Sequence, residues 1–182
     1  MADGHYERVG RTLVHKGVII DYYTDRMSLP DGREEDWDLI DHKGAAAAVA
    51  VLEDGRVLMV RQYRNTLGRE TLEIPAGGLQ SREEPTADAA ARELSEETGY
   101  TAGSMEKLLS FCSTIAFCNE KIDIYVAKDL KPGKQHLDDD EFLNVEKIPL
   151  KDVIRMIYDG KIQDGKTIAA IMTYAGKYGA GI

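Results

Sequence analysis

Cysteine, positive charge and long apolar runs are all scarce in this chain, and each shortage excludes a class of function. Two cysteines in 182 residues, Cys112 and Cys118, cannot build a disulfide framework. No histidine or cysteine pair stands near them at zinc-ligand spacing, so they read as ordinary, partly buried thiols. The longest apolar stretch, AAAAVAVL from Ala45 to Leu52, has the length of a strand and falls well short of the ~18 residues that a bilayer span requires. The first residues, MADGHYERVG, hold neither the apolar core of a signal peptide nor the arginine-rich pattern of a transit peptide, so the cytoplasm is the expected location. Lysine and arginine number 23 against 32 aspartate and glutamate, a formal net charge of −9 that argues against partnership with nucleic acid or an anionic membrane. An acidic protein that handles a phosphate compound would therefore need cations as intermediaries.

What is present suits one compact domain, or one domain with a small appendage. A composition of 43% hydrophobic and 30% charged residues is far from that of a disordered chain. Between Arg8 and His42 three strand-like runs, RTLVHKG, VIIDYYTDRMSL and EEDWDLIDH, are broken by Lys16-Gly17 and by the turn Pro30-Asp31-Gly32. This predicts a small N-terminal antiparallel β unit over 1–43. After Gly44, AAAAVAVL, the turn Asp54-Gly55 and RVLMVRQYR predict a further hairpin, followed by a strand ETLEIPAGG. The period then turns helical from Pro85 to Thr98, with Gly99 placed as a left-handed cap. Beyond it come strands near Met105–Phe111 and Lys121–Val126, an acidic loop QHLDDDEF, a strand NVEKIP, and amphipathic helices near Leu150–Asp159 and Gly165–Tyr178. Strands flanked by a few helices predict an α/β sandwich with a mixed sheet over 44–182.

The helix after Pro85 holds the most informative pattern. On a helical wheel centred on Leu94, Ala87, Ala90 and Ala91 fall within about 60°, a narrow face of small side chains that can lie close to a sheet. Glu93, Glu96 and Glu97 share one arc of about 100°, with Arg92 at its edge. Like charges four residues apart repel by a few tenths of a kcal/mol, so Glu93 and Glu97 need compensation. One reading is a solvated face relieved by Arg92 and counterions. The other is a hard divalent cation, since Mg²⁺ takes oxygen ligands from carboxylates and substrate phosphate.

The spacing favours the second reading. Gly78, five residues, Glu84, seven residues, then Arg92-Glu93-Leu94-Ser95-Glu96-Glu97-Thr98-Gly99-Tyr100 resembles the Nudix box, G-x5-E-x7-R-E-U-x-E-E-x-G-U with U a bulky apolar residue. Every fixed position is present, and Tyr100 alone departs from the usual aliphatic. The lead-in LEIPAGG, the upstream VRQYR and the acidic loop downstream are similar to the ADP-ribose pyrophosphatase group of Nudix hydrolases, so the resemblance runs from about Arg8 to Tyr178.

That resemblance implies an α/β/α sandwich of the α+β kind around a mixed sheet, and a homodimer built partly by the N-terminal β unit. It implies a site holding two or three Mg²⁺ ions, with Mn²⁺ as the alternative, that cleaves a nucleoside diphosphate between phosphorus and oxygen. Glu93 and Glu97 would be the main metal ligands, Glu96 a supporting or water-linked one, and the Gly77 carbonyl a further one. Arg92 would orient the carboxylates and Glu84 would anchor the loop to the helix start, while Gly78, Leu94 and Gly99 keep the motif's shape. Arg64 and Arg61 would meet the diphosphate or terminal ribose, and Glu73 and Glu120 fall at positions that face the site in this group. Trp37 is either dimer or core packing, or an adenine-stacking ring reaching a partner's site. The general base would come from Asp138, Asp139, Asp140 and Glu141; Glu141 is preferred as the only glutamate, against a plain solvated acidic loop.

The implied reaction converts ADP-ribose, or a related ADP-sugar, to AMP and a sugar phosphate. One departure widens the substrate range. Where the group carries a proline-glycine pair past the box, this chain has Ile115-Ala116 within STIAFCNE, which leaves GDP-mannose, other nucleotide sugars and dinucleoside polyphosphates open. A Nudix domain that only senses its ligand is the non-enzymatic alternative, and the intact box speaks against it.

Overall fold

Alternating runs of β-branched and aromatic residues near the N-terminus pair as the sequence predicts in the computed structural model, which describes residues 5–137 and 142–179. Its contacts divide the chain into two units, Met1–Gly44 with Cys112–Lys121, and Ala45–Phe111 with Ile122–Ile182. In the first unit β1 (Glu7–Lys16), β2 (Asp21–Ser28) and β3 (Glu34–Asp41) form an antiparallel meander. The second turn closes with Gly32 N–H on the Leu29 carbonyl at 2.9 Å, and Gly32 takes a φ of 84° that favours glycine. Residues 112–121 return to the end of β3: Ile40 N–H donates to Phe117 O at 2.6 Å, and Asn119 N–H donates to Ile40 O at 3.2 Å.

The second unit is assembled around β4 (Ala45–Ala50), buried along its whole length. Its neighbours in the larger sheet are β7 (Ala76–Gly78) and β10 (Lys121–Lys128), followed by β9 (Ser104–Cys112). The β4–β10 pair is parallel and the β4–β7 pair antiparallel, so the sheet is mixed. A second sheet carries β12 (Leu143–Pro149), β5 (Arg56–Arg64) and β6 (Arg69–Glu73), and a short ribbon joins β8 (Tyr100–Thr101) to β11 (Lys131–Pro132). Three helices complete the unit: α1 (Thr86–Thr98), α2 (Leu150–Tyr158) and α3 (Gly165–Tyr178). Among the described residues no helix is long and apolar enough to cross a membrane.

Successive residues of a strand point to opposite faces, and β4 uses both faces. Ala46, Ala48 and Ala50 face α1 and join Ala89, Ala90 and Leu94 in the core, whereas Ala45, Ala47 and Val49 face the layer of β5, β6, α2 and α3 with Val57, Met59, Ile74 and Ile171. Helices thus cover both sides of the strands, an α/β/α sandwich. A strand of alanines buries little apolar area per residue. It contributes proximity, because small side chains let the backbone of α1 settle against the sheet.

Two segments differ from the sequence expectation. The hairpin across Asp54-Gly55 survives only as one bridge, Val51 to Val57, after which β4 and β5 enter different sheets. With one face of β4 given to α1 and the other to the second layer, the two strands are drawn apart. The stretch ETLEIPAGG is two strands rather than one. Pro75 has no N–H to continue a ladder, its carbonyl accepts from Ala48 N–H at 3.0 Å, and the chain crosses from the β5 partner β6 to the β4 partner β7. That crossing delivers Ala76, Gly77 and Gly78 to the face beneath α1.

If close approach of α1 depends on the small β4 side chains, Ala48→Leu will lower stability by about 1–3 kcal/mol through overpacking. The midpoint of urea unfolding checks this, and an unchanged midpoint would show that the α1–β4 gap has room to spare.

Candidate active site

Helix α1 is made of strong helix formers, yet its buried residues are not all apolar. Ala89, Ala90, Glu93, Leu94, Glu97 and Thr98 are buried, and Glu93 and Glu97 keep only 8% and 2% of their surface. The wheel places the carboxylates on an arc beside the alanine face, whereas the structure turns Glu93 and Glu97 inward with Ala89 and leaves Ala87 and Ala91 half-buried. The backbone of β7 permits it. An ideal Cβ on Gly77 would overlap the carboxyl group of Glu93, so the missing side chain is the space that this carboxylate fills. One turn further on, Glu97 Oε2 accepts from Ala76 N–H at 3.0 Å. The helix ends at Gly99, whose φ of 75° and whose packing, with an added Cβ 2.8 Å from Gln135 N, both require glycine. Gln135 Nε2 donates to Glu97 O at 2.6 Å and His136 N–H to Glu96 O at 3.0 Å, so the chain leading toward residue 138 caps the last turn of α1.

Arg92 joins the acidic residues into one group. Its Nη1 donates to Glu93 Oε1 at 2.7 Å and to Glu96 Oε2 at 3.0 Å, its Nε to Glu84 Oε1 at 3.2 Å, and its Nη2 to the Gly78 carbonyl at 3.4 Å. Burial alone would lower the guanidinium pKa, but the charge of Glu93 and the bonds to Glu93, Glu84 and Glu96 outweigh it and raise it. Glu84 also accepts from Gln80 N–H at 2.6 Å, and this bond, ahead of the contribution from Arg92, holds its carboxyl below the ordinary value. The loop before α1 is thereby tied to the middle of the helix.

Among the described residues no group of three or more His, Cys, Asp or Glu side chains is gathered into a ready metal cage. The donor set nevertheless suits a hard cation. Glu93 and Glu96 converge on one nitrogen of Arg92, Glu93 lies against the glycine cradle, and all the side-chain donors are carboxylate oxygens.

A second cluster forms around Glu73 at the end of β6. Its carboxylate receives Arg64 Nε at 2.8 Å and Nη2 at 2.7 Å, Thr71 Oγ1 at 2.6 Å, and Lys166 Nζ. Burial pushes this carboxyl up, but the bonds from Arg64, the charge and bond of Lys166 and the bond from Thr71 prevail, lowering it from 4.5 to about 2. Lys166 also donates to Asp164 at 3.0 Å; Asp164 caps α3 through Thr167 N–H, and Thr167 Oγ1 accepts from Ile74 N–H at 3.0 Å. A cleft of about 440 Å³ lies here, lined by Arg64, Leu67, Glu73, Gln163 and Lys166. The negative charge of Glu97 reaches Arg64 strongly enough to help raise its pKa, after the larger effects of Glu73 and burial.

The sequence-predicted residues therefore separate into groups. Gly77, Gly78, Glu84, Arg92, Glu93, Glu96 and Glu97 are brought together, with Leu94 in the core beside them, and Arg64 and Glu73 meet each other. Arg61 instead turns to Glu146 of β12 at 2.5 Å. In the first unit, Glu120 lies 3.5 Å from His42 Nδ1, and Trp37 is half-exposed with its ring 5.6 Å from that of Tyr6. Asp138, Asp139, Asp140 and Glu141 lie outside the described residues. Lys166, Thr71 and Gln135 escape the sequence reading. The pattern Asp164-Gly-Lys-Thr167 signals a helix cap, but nothing in it shows that Lys166 reaches β6 from 93 residues away.

The sequence matches the family model of the NUDIX domain over residues 41–171. It is 36% identical over 165 residues to the ADP-ribose pyrophosphatase of Bacillus subtilis (strain 168), covering 90% of this chain and 89% of that protein. It is 37% identical over 160 residues to the methanol dehydrogenase activator of Bacillus methanolicus, covering 87% and 86%. A solved structure of an ADP compounds hydrolase superposes with a TM-score of 0.83 over 97% of both chains at 18% identity, a likeness of fold.

The Glu73 cluster makes stability depend on pH in a defined sense. A carboxyl whose folded pKa lies near 2 against 4.5 when unfolded contributes stability that is complete above the unfolded value and is lost as pH falls through the folded one. Urea unfolding at pH 6 and pH 3 should show the wild type losing roughly 2 kcal/mol more than Glu73→Gln over that interval. Equal losses would show that the cluster does not hold Glu73 ionised.

Proposed function

This chain belongs to the NUDIX domain family and is a Nudix hydrolase, and on that premise we propose that it hydrolyses the diphosphate of ADP-ribose or a related ADP-sugar to AMP and a sugar phosphate. The observation that carries the proposal is the pair of buried carboxylates on α1, Glu93 in the cradle of Gly77 and Glu97 on Ala76 N–H. Two acidic groups held against a bare backbone, with Arg92 bonded to one of them, suit a site completed by divalent cations and an anionic substrate. Substrate identity takes its support from the Bacillus subtilis relative, named an ADP-ribose pyrophosphatase, at 36% identity over nine tenths of this chain.

In this proposal Glu93, Glu97 and Glu96 with the Gly77 carbonyl hold Mg²⁺, two or three ions, or Mn²⁺ in its place. Bound there, the metal supplies charge neutralisation at the phosphoryl oxygens and lowers the pKa of water. Arg92 holds the carboxylates of Glu93 and Glu96 at fixed separation, and Glu84 keeps the preceding loop on the helix. Arg64 spends two donors on Glu73 and keeps Nη1 for an anionic diphosphate or the terminal ribose. Glu141 accepts the proton of the attacking water, which bonds to phosphorus as the bridging P–O bond breaks. Trp37 stacks on the adenine within a homodimer, Glu120 faces the same site, and Arg61, engaged with Glu146, serves from further out. The enzyme works in the cytoplasm, without nucleic acid or membrane.

A second substrate reading has its own support. Ile115 and Ala116 stand where the ADP-ribose group carries Pro-Gly, and Ile115 is 85% exposed, so the segment has room to serve another nucleoside diphosphate sugar such as GDP-mannose.

Incubation with Mg²⁺ and ADP-ribose, GDP-mannose or a diadenosine polyphosphate in separate vessels, resolved by chromatography, decides between these. AMP should form fastest from ADP-ribose, and Glu97→Gln should slow it by more than about 100-fold. Faster turnover of GDP-mannose would move the assignment to the second reading, and binding without turnover of any of them would contradict hydrolysis.

A further inference from the structure

Helix α1 carries the acidic group, yet its first turn lacks the device that normally sets where a helix begins. The N-cap residue is Pro85, which offers no side-chain acceptor, and no side-chain cap bond is made. The start is held instead by strand β10. Thr86, the first residue of α1, donates its hydroxyl to Asp123 Oδ2 at 2.8 Å and lies 2.7 Å from the Tyr125 hydroxyl. An ionised carboxylate only accepts, so Thr86 uses its single proton on Asp123 and Tyr125 must donate to Thr86. Asp123 is 6% exposed and also receives Lys107 Nζ at 2.8 Å and Ser110 Oγ at 2.5 Å, both from β9.

The register across the sheet gives this contact its significance. Asp123 pairs with Ala46 on β4, and Ala46 pairs with Gly77 on β7, so Asp123, Ala46 and Gly77 form one row with side-chain directions on one face. On the helix, Thr86 and Glu93 are seven residues apart, two turns and within about 20° of the same direction, and Glu97 continues the stripe. One row of the sheet therefore meets one stripe of the helix at two points: Asp123 takes Thr86 at one end, and the gap at Gly77 takes Glu93 at the other.

We propose that Asp123, acting through Thr86, is a positioning residue that sets the axial register of α1, so that Glu93 and Glu97 arrive opposite Gly77 and Ala76 in the geometry a divalent cation needs. The inference rests on the reading of these carboxylates as metal ligands. A slip of one residue along the helix axis would move Glu93 by about 1.5 Å, enough to take it out of the glycine gap.

The test is Mn²⁺ titration of the full chain, with free Mn²⁺ followed by electron paramagnetic resonance and the thermal midpoint recorded beside it. Thr86→Val removes the hydroxyl, Thr86→Ser restores it, and Ser110→Ala removes a donor from the same carboxylate without touching α1. Thr86→Val should bind Mn²⁺ at least about tenfold more weakly, in the range that loss of an outer partner of a ligand produces. Thr86→Ser and Ser110→Ala should remain near wild type. Asp123→Asn should behave as Thr86→Val; if it does not fold, the Thr86 pair decides. Wild-type affinity in Thr86→Val, or an equal loss in Ser110→Ala, would overturn the register role. Absence of Mn²⁺ binding by the wild type would contradict the metal reading itself and this inference with it.

Discussion

The Glu93 carboxylate lies where a side chain at residue 77 would otherwise stand, and most of the second unit is arranged to make that contact possible. A buried carboxylate is unfavourable unless charge or hydrogen bonds compensate it, and here Arg92 provides both. To reach β7 at all, the helix backbone must come close to the sheet, which the alanine row of β4 allows. To present Gly77 at the right height, the chain must leave one sheet for the other at Pro75. Register, side-chain size and a proline break therefore serve a single approach of acid to backbone.

Charge follows the same plan. Arg92 ties Glu84, Glu93 and Glu96 together, while the Glu73 cluster combines two cations with two carboxylates, and Arg64 is among the residues that line a cleft. Glu73, Glu84, Glu93, Glu96 and Glu97 give this part of a chain of net charge −9 a negative character, so an anion brought beside them would need cations between.

Much of this was legible in the sequence because it is local. The helix from Thr86 to Thr98, its Gly99 cap and the cluster of Glu84, Arg92, Glu93 and Glu96 all depend on spacings within one segment. The strands of the first unit were readable from turn chemistry at Pro30-Asp31-Gly32. What escaped depends on distant partners. The inward turn of Glu93 could not be read from a wheel that ranks glutamate as polar, since the reason is an absent Cβ on another strand. Lys166 meets Glu73, and Asp123 meets Thr86, only after topology brings β6 to α3 and β10 to α1. The split of ETLEIPAGG was signalled by Pro75, but a proline marks a break without saying which strand receives each half.

The most direct measurement of the central claim is steady-state hydrolysis of ADP-ribose by Gly77→Ala beside the wild type, with circular dichroism to confirm that both are folded. Displacement of Glu93 by the added methyl group should reduce kcat by at least about tenfold while the fold persists. Wild-type kcat in a folded Gly77→Ala protein would contradict it, because the carboxylate would then have no need of the space that glycine leaves.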